Sequence, residues 1–220
     1  MTKFLRLLLL LVVSVSPAFA RDASSIIDEP FYKIKTSIYE AMPKHLNDDE
    51  IIFLGDSLTD YVKFDEIFPE LHTKNRGIAG DTTTGVLHRL QDIIASKPAK
   101  LFILIGTNDI VYNVEPDEIA KNISDIISQV KAGSPKTKIY LETLMPVNHE
   151  FETHRPGNII KAVNERLPEI AKELGCTLVD TYKFFAEDGE LPKNYTIDGI
   201  HFNGSGILHW MKFLAPYIKE

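Results

Sequence analysis

Residues 51–59 read IIFLGDSLT. Four apolar residues run directly into Gly55-Asp56-Ser57-Leu58. That is the pattern of a buried strand ending in a tight turn that presents one serine at a sheet edge. A serine so placed is a candidate nucleophile if a base and oxyanion donors lie elsewhere in the chain. Two further motifs answer that requirement. Gly106-Thr107-Asn108-Asp109 follows the apolar run 101–105, and Asp198-Gly199-Ile200-His201 lies near the C-terminus.

Outward from this stretch, strands and helices alternate. Strands are expected at 51–54, 72–76, 101–105, 138–144 and 177–179. Helices are expected at 83–95, 116–130, 158–174 (with Pro168 a kink or break) and 209–219. In the second of these, Ile119, Ile123, Ile126, Ile127 and Val130 recur at helical spacing. Pro116 suits its first turn, and Gly133-Ser134-Pro135 stops it. Short apolar strands between amphipathic helices predict a three-layer α/β/α fold around a five-stranded parallel sheet. Right-handed crossovers favour the flavodoxin-like order 2-1-3-4-5. In such sheets the site lies at the carboxyl ends of the strands, and Ser57, Gly80 and Asn108 each fall just after one of the first three. Residues 47–220 form the domain. Residues 21–46 form an N-terminal helical extension that packs on it, with Phe31, Ile34, Ile38 and Tyr39 as apolar positions.

The three motifs fit one chemistry. Asp198 and His201, three apart, can face the same way; the aspartate then orients the imidazole, and His201 takes the proton from Ser57. Taken alone, the pair also reads as a surface Asp-x-x-His. A tetrahedral intermediate needs donors aimed at its oxyanion. The Asn108 amide and the Gly80 and Ser57 backbone N–H groups supply three, although Asn108 also reads as a turn residue and Gly80 as a loop glycine. The polar segment 145–155, MPVNHEFETHR, is either a substrate lip using Asn148, Phe151 and Arg155 or a solvated excursion. His149 and His154 sit five apart, and no motif has the spacing of a metal site. Cys176, the one cysteine, reads as a small core residue on a buried strand.

These residues resemble the SGNH hydrolases, the GDSL esterase and lipase superfamily. Gly55-Asp56-Ser57-Leu58 matches the first block. Residues 75–82, NRGIAGDT, resemble the second, with Gly80 as oxyanion glycine. Gly106-Thr107-Asn108-Asp109 matches the third and Asp198-Gly199-Ile200-His201 the fifth. The similarity spans roughly residues 45–217. It is nearest to the branch holding platelet-activating-factor acetylhydrolase-like and bacterial sialate O-acetylesterase-like proteins. The resemblance implies a serine esterase working through an acyl-enzyme, without cofactor or metal, on short acyl esters. Acetyl on a small molecule or glycan is the expected substrate. The rivals are a lysophospholipase or acyl-thioesterase on the same triad, and a non-catalytic carbohydrate-binding module on the same fold.

The rest of the chain narrows the setting. Its 220 residues suffice for one domain, and its net charge is -7. An acidic chain with no basic run argues against nucleic acid and against adsorption to anionic lipid. Lys3 and Arg6 precede an apolar run, and Ala18-Phe19-Ala20 fits a cleavage site, so residues 1–20 read as a signal peptide. The expected location after cleavage near Ala20 is the periplasm or the medium, with no stable membrane insertion. Three Asn-x-Ser/Thr sequons, at Asn122, Asn194 and Asn203, read as chance matches.

Overall fold

The computed structural model describes residues 22–44 and 47–220, so the predicted leader lies outside the described residues. After a short 3-10 turn (Ala23–Asp28) come α1 (Pro30–Ala41), β1 (Ile51–Gly55), α2 (Ser57–Asp60), α3 (Phe64–Ile67) and β2 (Thr73–Gly77). Next are α4 (Thr83–His88), α5 (Leu90–Ser96), β3 (Lys100–Leu104), α6 (Thr107–Val111), α7 (Pro116–Gly133) and β4 (Lys138–Glu142). The chain closes through α8 (Gly157–Asn164), α9 (Leu167–Glu173), β5 (Thr177–Val179), α10 (Thr181–Phe185) and α11 (Gly204–Lys219). The five strands are all parallel in the order β2-β1-β3-β4-β5, as expected.

The period-2 geometry of the strands divides the core in two. Ile52, Leu54, Leu101, Ile103, Ile139 and Leu141 pack with helices α5, α7 and α8. Ile51, Phe53, Phe102, Leu104 and Tyr140 pack toward α3 and α11. That second face is aromatic. Phe53 stacks on Phe64 with centroids 3.7 Å apart, Phe102 on Phe53 at 4.9 Å and Tyr140 on Phe102 at 4.6 Å, a ladder across three strands.

Strand ends shift by one or two residues, and the short helices α2, α3, α6 and α10 are not among the expected elements; four further differences follow. The helix expected over 83–95 breaks at Arg89, whose side chain turns inward to Asp81 at 2.8 Å and to the Gly55 carbonyl at 3.2 Å. The last helix starts at Gly204, five residues early, because the Asn203 side chain accepts from the Gly206 N–H and caps it. Cys176 packs against the core only half-buried, just ahead of an edge strand, and burial pushes its thiol up. The fourth difference concerns the N-terminal extension. It packs on the domain, but Phe31, Ile34 and Ile38 are exposed, and the buried positions are Tyr32 and Tyr39. Each tyrosine carries its hydroxyl to a backbone carbonyl at 2.7 Å, Tyr32 to Gly85 in α4 and Tyr39 to Gly77 at the end of β2. A phenol can enter a polar seam that Phe or Ile would leave unsatisfied.

Candidate active site

The site lies at the carboxyl edge of the sheet. β1 delivers the chain to Ser57 through Gly55, where a side chain has no room: a Cβ there would lie 2.3 Å from Thr59 Oγ1 and 2.5 Å from the Leu104 carbonyl. Asp56 caps the short helix that follows, accepting from the Leu58 N–H at 2.9 Å. Ser57 thus stands at a first-turn position, where its own N–H has no intrahelical acceptor.

Ser57 Oγ lies 2.8 Å from His201 Nε2. On the far side of the ring, His201 Nδ1 lies 2.6 Å from Asp198 Oδ2. With Nδ1 donating to the carboxylate, Nε2 is left to accept from the serine hydroxyl. Asp198 Oδ1 takes the backbone N–H of His201 at 2.8 Å and of Ile200 at 3.0 Å, so one carboxylate fixes both ring and chain. Burial pushes the Asp198 carboxyl up. The hydrogen bonds from the His201 ring, the His201 backbone and the Ile200 backbone outweigh it and hold the group below its ordinary value. Gly199 makes the turn at φ +87°; a Cβ there would meet the Asn148 carbonyl at 2.7 Å.

The second motif closes against the first. The Asn75 amide donates to the Thr59 and Val62 carbonyls at 2.7 and 2.9 Å, and the Ala79 N–H to Asp60 Oδ2 at 3.1 Å. These bonds tie the loop carrying Gly80 to the helix carrying Ser57. Gly80 itself adopts φ +82°. Asn108 joins from β3, its Nδ2 donating to the Asp81 carbonyl at 2.9 Å. Asp109 accepts the Thr83 N–H at 3.0 Å and the Thr83 hydroxyl at 2.5 Å, which pins the starts of α4 and α6 together. Ser57, His201 and Asp198 therefore form one bonded array, and the bond to the Asp81 carbonyl ties Asn108 to the segment that carries Gly80. Among the described residues, no three His, Cys, Asp or Glu side chains assemble as metal ligands.

The lip expected at Asn148, Phe151 and Arg155 divides. Phe151 is exposed, with its Cβ against Gly199. Asn148 is buried, its amide donating to the Leu191 carbonyl at 2.8 Å and its Oδ1 accepting from the Glu150 N–H, so it braces two loops instead of facing the site. Arg155 turns inward to Asn108. His149 and His154 separate, the first to Glu190 at 2.7 Å and the second toward Glu152 at 3.6 Å.

Sequence reasoning missed Tyr61, whose exposed ring tilts against His201 with centroids 5.4 Å apart. Its place four residues after Ser57, one helical turn on, was the available signal. It also missed the buried acids beneath the site. Asp56 is pushed up by burial to about 7, with the Leu58 N–H and Arg155 pulling the other way.

The comparisons with known proteins agree with this geometry. The GDSL-like Lipase/Acylhydrolase family model matches residues 53–207. The platelet-activating factor acetylhydrolase IB subunit alpha2 of Homo sapiens is 29% identical over 180 residues, covering 78% of this chain and 76% of that protein. A Streptococcus pneumoniae structure described as a platelet activating factor superimposes with a TM-score of 0.80 at 29% identity, over 89% of this chain and 95% of its own. A GDSL-like lipase from Bacteroides thetaiotaomicron does so with a TM-score of 0.73 at 27% identity, over 86% and 97%. With a family match over most of the domain and a Ser–His–Asp array at its sheet edge, this chain belongs to the GDSL-like lipase/acylhydrolase family and is a carboxylic ester hydrolase.

Proposed function

We propose that the chain is an exported esterase that removes short acyl groups, acetyl foremost, from carbohydrate or polyol esters. The observation that carries the mechanism is the continuous array from Ser57 Oγ through His201 to Asp198, at 2.8 and 2.6 Å. Ser57 Oγ attacks the ester carbonyl while His201 Nε2 takes its proton. The carbonyl oxygen becomes an oxyanion, received by the Asn108 amide and the Gly80 and Ser57 N–H groups. As the intermediate collapses, the bond to the alcohol breaks and His201 returns the proton to the leaving oxygen. Water then attacks the acyl-enzyme, giving its proton to His201, and the acid leaves as Ser57 recovers its own. Asp198, held ionised, orients the ring and balances its positive charge at each transfer.

Support for a short acyl group comes from the polar segment 145–155 and the acidic chain, which is not drawn to anionic lipid. The name of the human relative speaks of an acetylhydrolase. Support for export comes from the sequence of residues 1–20. Among the described residues, no helix is long and apolar enough to cross a membrane. One observation favours a lysophospholipase or thioesterase instead. An open groove beside Arg155 carries an apolar strip of Ile110, Val111, Val114 and Ile159 among the polar Asn113, Glu115, Glu152 and His154.

Hydrolysis of p-nitrophenyl esters of rising chain length separates the two. Each methylene buried in an apolar channel contributes up to ~0.8 kcal/mol. An acetyl esterase shows kcat/KM peaking at two to four carbons; a steep rise to eight or beyond assigns the groove to a long acyl chain. Sequencing the N-terminus of the chain recovered from a cell's exterior or periplasm tests the export reading, which predicts a start just after Ala20.

A further inference from the structure

We infer that Arg155 is a positioning residue that sets the orientation and donor strength of the Asn108 amide. The inference rests on the reading of Asn108 as an oxyanion donor. Arg155 lies in the loop between β4 and α8, which the sequence leaves open as a substrate lip or a solvated excursion. Its guanidinium points inward and spreads over three acceptors. Nη2 donates to Asn108 Oδ1 at 2.7 Å, Nε to Thr107 Oγ1 at 3.1 Å and Nη1 to the Thr153 carbonyl at 2.6 Å. Two of those acceptors are adjacent residues of the Gly106–Asp109 motif. The third is on Arg155's own loop, so the fork staples one to the other.

The consequence falls on Asn108. The two ends of a carboxamide are nearly the same shape, so its orientation is set by partners alone. Here a cation sits on Oδ1, and the Asp81 carbonyl, 2.9 Å away, takes one hydrogen of Nδ2. Turning the amide over would set its N–H groups against the guanidinium and its oxygen against a carbonyl. The orientation is therefore fixed with one Nδ2 hydrogen remaining for an oxyanion. A charge-assisted bond to Oδ1 also draws electron density from the amide nitrogen and makes that hydrogen a stronger donor. Lysine, a point charge without a planar fork, can reproduce the charge but not three directed bonds.

Arg155 is itself braced. Its carbonyl lies 3.1 Å from His149 Nε2, and Glu190 holds the opposite ring nitrogen at 2.7 Å. Burial pulls the guanidinium below its ordinary value while Asp56 and Asp198 push it back up. These two carboxylates face it without a direct bond, so the fork stays directed at the Gly106–Asp109 motif.

The test compares kcat and KM on p-nitrophenyl acetate for the wild type, Arg155→Ala, Arg155→Lys, Asn108→Ala and the Asn108→Ala/Arg155→Ala double variant, with thermal midpoints for each. Arg155→Ala is expected to lower kcat about tenfold or more, short of the ~100- to 1,000-fold that follows loss of an oxyanion donor. KM should stay nearly constant, and Arg155→Lys should recover part of the loss. The deciding result is the double variant, expected to be no slower than Asn108→Ala alone, because Arg155 acts through Asn108. Fully additive losses overturn the inference, as does a raised KM with unchanged kcat, which would make Arg155 a substrate contact. Should Arg155→Ala fail to fold, Arg155→Lys and its double with Asn108→Ala carry the same comparison. If Asn108→Ala by itself leaves kcat intact, the oxyanion reading fails and takes this inference with it, an outcome visible without any Arg155 variant.

Discussion

At the scale of single residues, the chemistry reduces to where one proton sits. Ser57 Oγ has His201 Nε2 at 2.8 Å, and the far side of the ring is committed to Asp198. Ser57→Ala and His201→Ala should therefore each lower kcat by several orders of magnitude and leave the circular dichroism spectrum unchanged, since neither side chain carries the packing. A Ser57→Ala variant retaining about a tenth of wild-type turnover is incompatible with a serine nucleophile. Glu142 poses a different question. It is buried at the end of β4 with Trp210 Nε1 donating to it at 2.8 Å, and burial pushes its carboxyl up to about 8 against that pull. The folded chain then keeps a proton that the unfolded chain releases. Stability should fall as pH rises from about 4.5 and level off above about 8. Glu142→Gln keeps an acceptor for the indole and removes the titration. The variant should gain on the wild type by as much as a few kcal/mol at pH 8 and little at pH 4. Denaturant midpoints across that range test this; parallel curves for the two proteins would refute it.

At the scale of elements, α1 gives the clearest prediction. Its buried face is Tyr32 and Tyr39, joined to the domain through hydroxyl bonds to Gly85 and Gly77. The Arg76 guanidinium also lies over the Tyr39 ring, 4.7 Å from its centroid. Tyr39→Phe should cost ~1–2 kcal/mol, because it leaves a buried carbonyl short of a donor. Ile34→Ser, on the exposed face, should stay within ~0.5 kcal/mol of wild type. Chemical denaturation measures both, and a costlier Ile34→Ser would invert the assignment of the face. This helix also marks the limit of what the sequence made legible. Strand order and the placement of Ser57, Asn108 and His201 were readable, because apolar strands and strand-end motifs are local patterns. The α1 face was not, because phenol oxygens were matched to carbonyls 38 and 53 residues away. The break at Arg89 and the inward turn of Arg155 are illegible for the same reason. Each is a charged side chain recruited by a distant partner, the Gly55 carbonyl or Asn108.

At the scale of the whole molecule, a doubly covered parallel sheet gathers four chain segments at one edge. β1 brings Ser57, the loop after β2 brings Gly80, the turn after β3 brings Asn108, and the segment before α11 brings Asp198 and His201. The bonds Asn75 to Thr59, Thr83 to Asp109 and Arg89 to Gly55 hold those segments in register. Such preorganisation is what oxyanion stabilisation needs, since donors already in place cost no rearrangement during the reaction. The central claim is that this scaffold activates one serine. Its most direct test is to treat the protein with a fluorophosphonate, follow ester hydrolysis, and map the adduct by peptide mass spectrometry. One phosphonyl group on Ser57, gained in step with the loss of activity and absent from His201→Ala, is the predicted result. Activity that survives full modification, or an adduct on another residue that tracks inactivation, would contradict it.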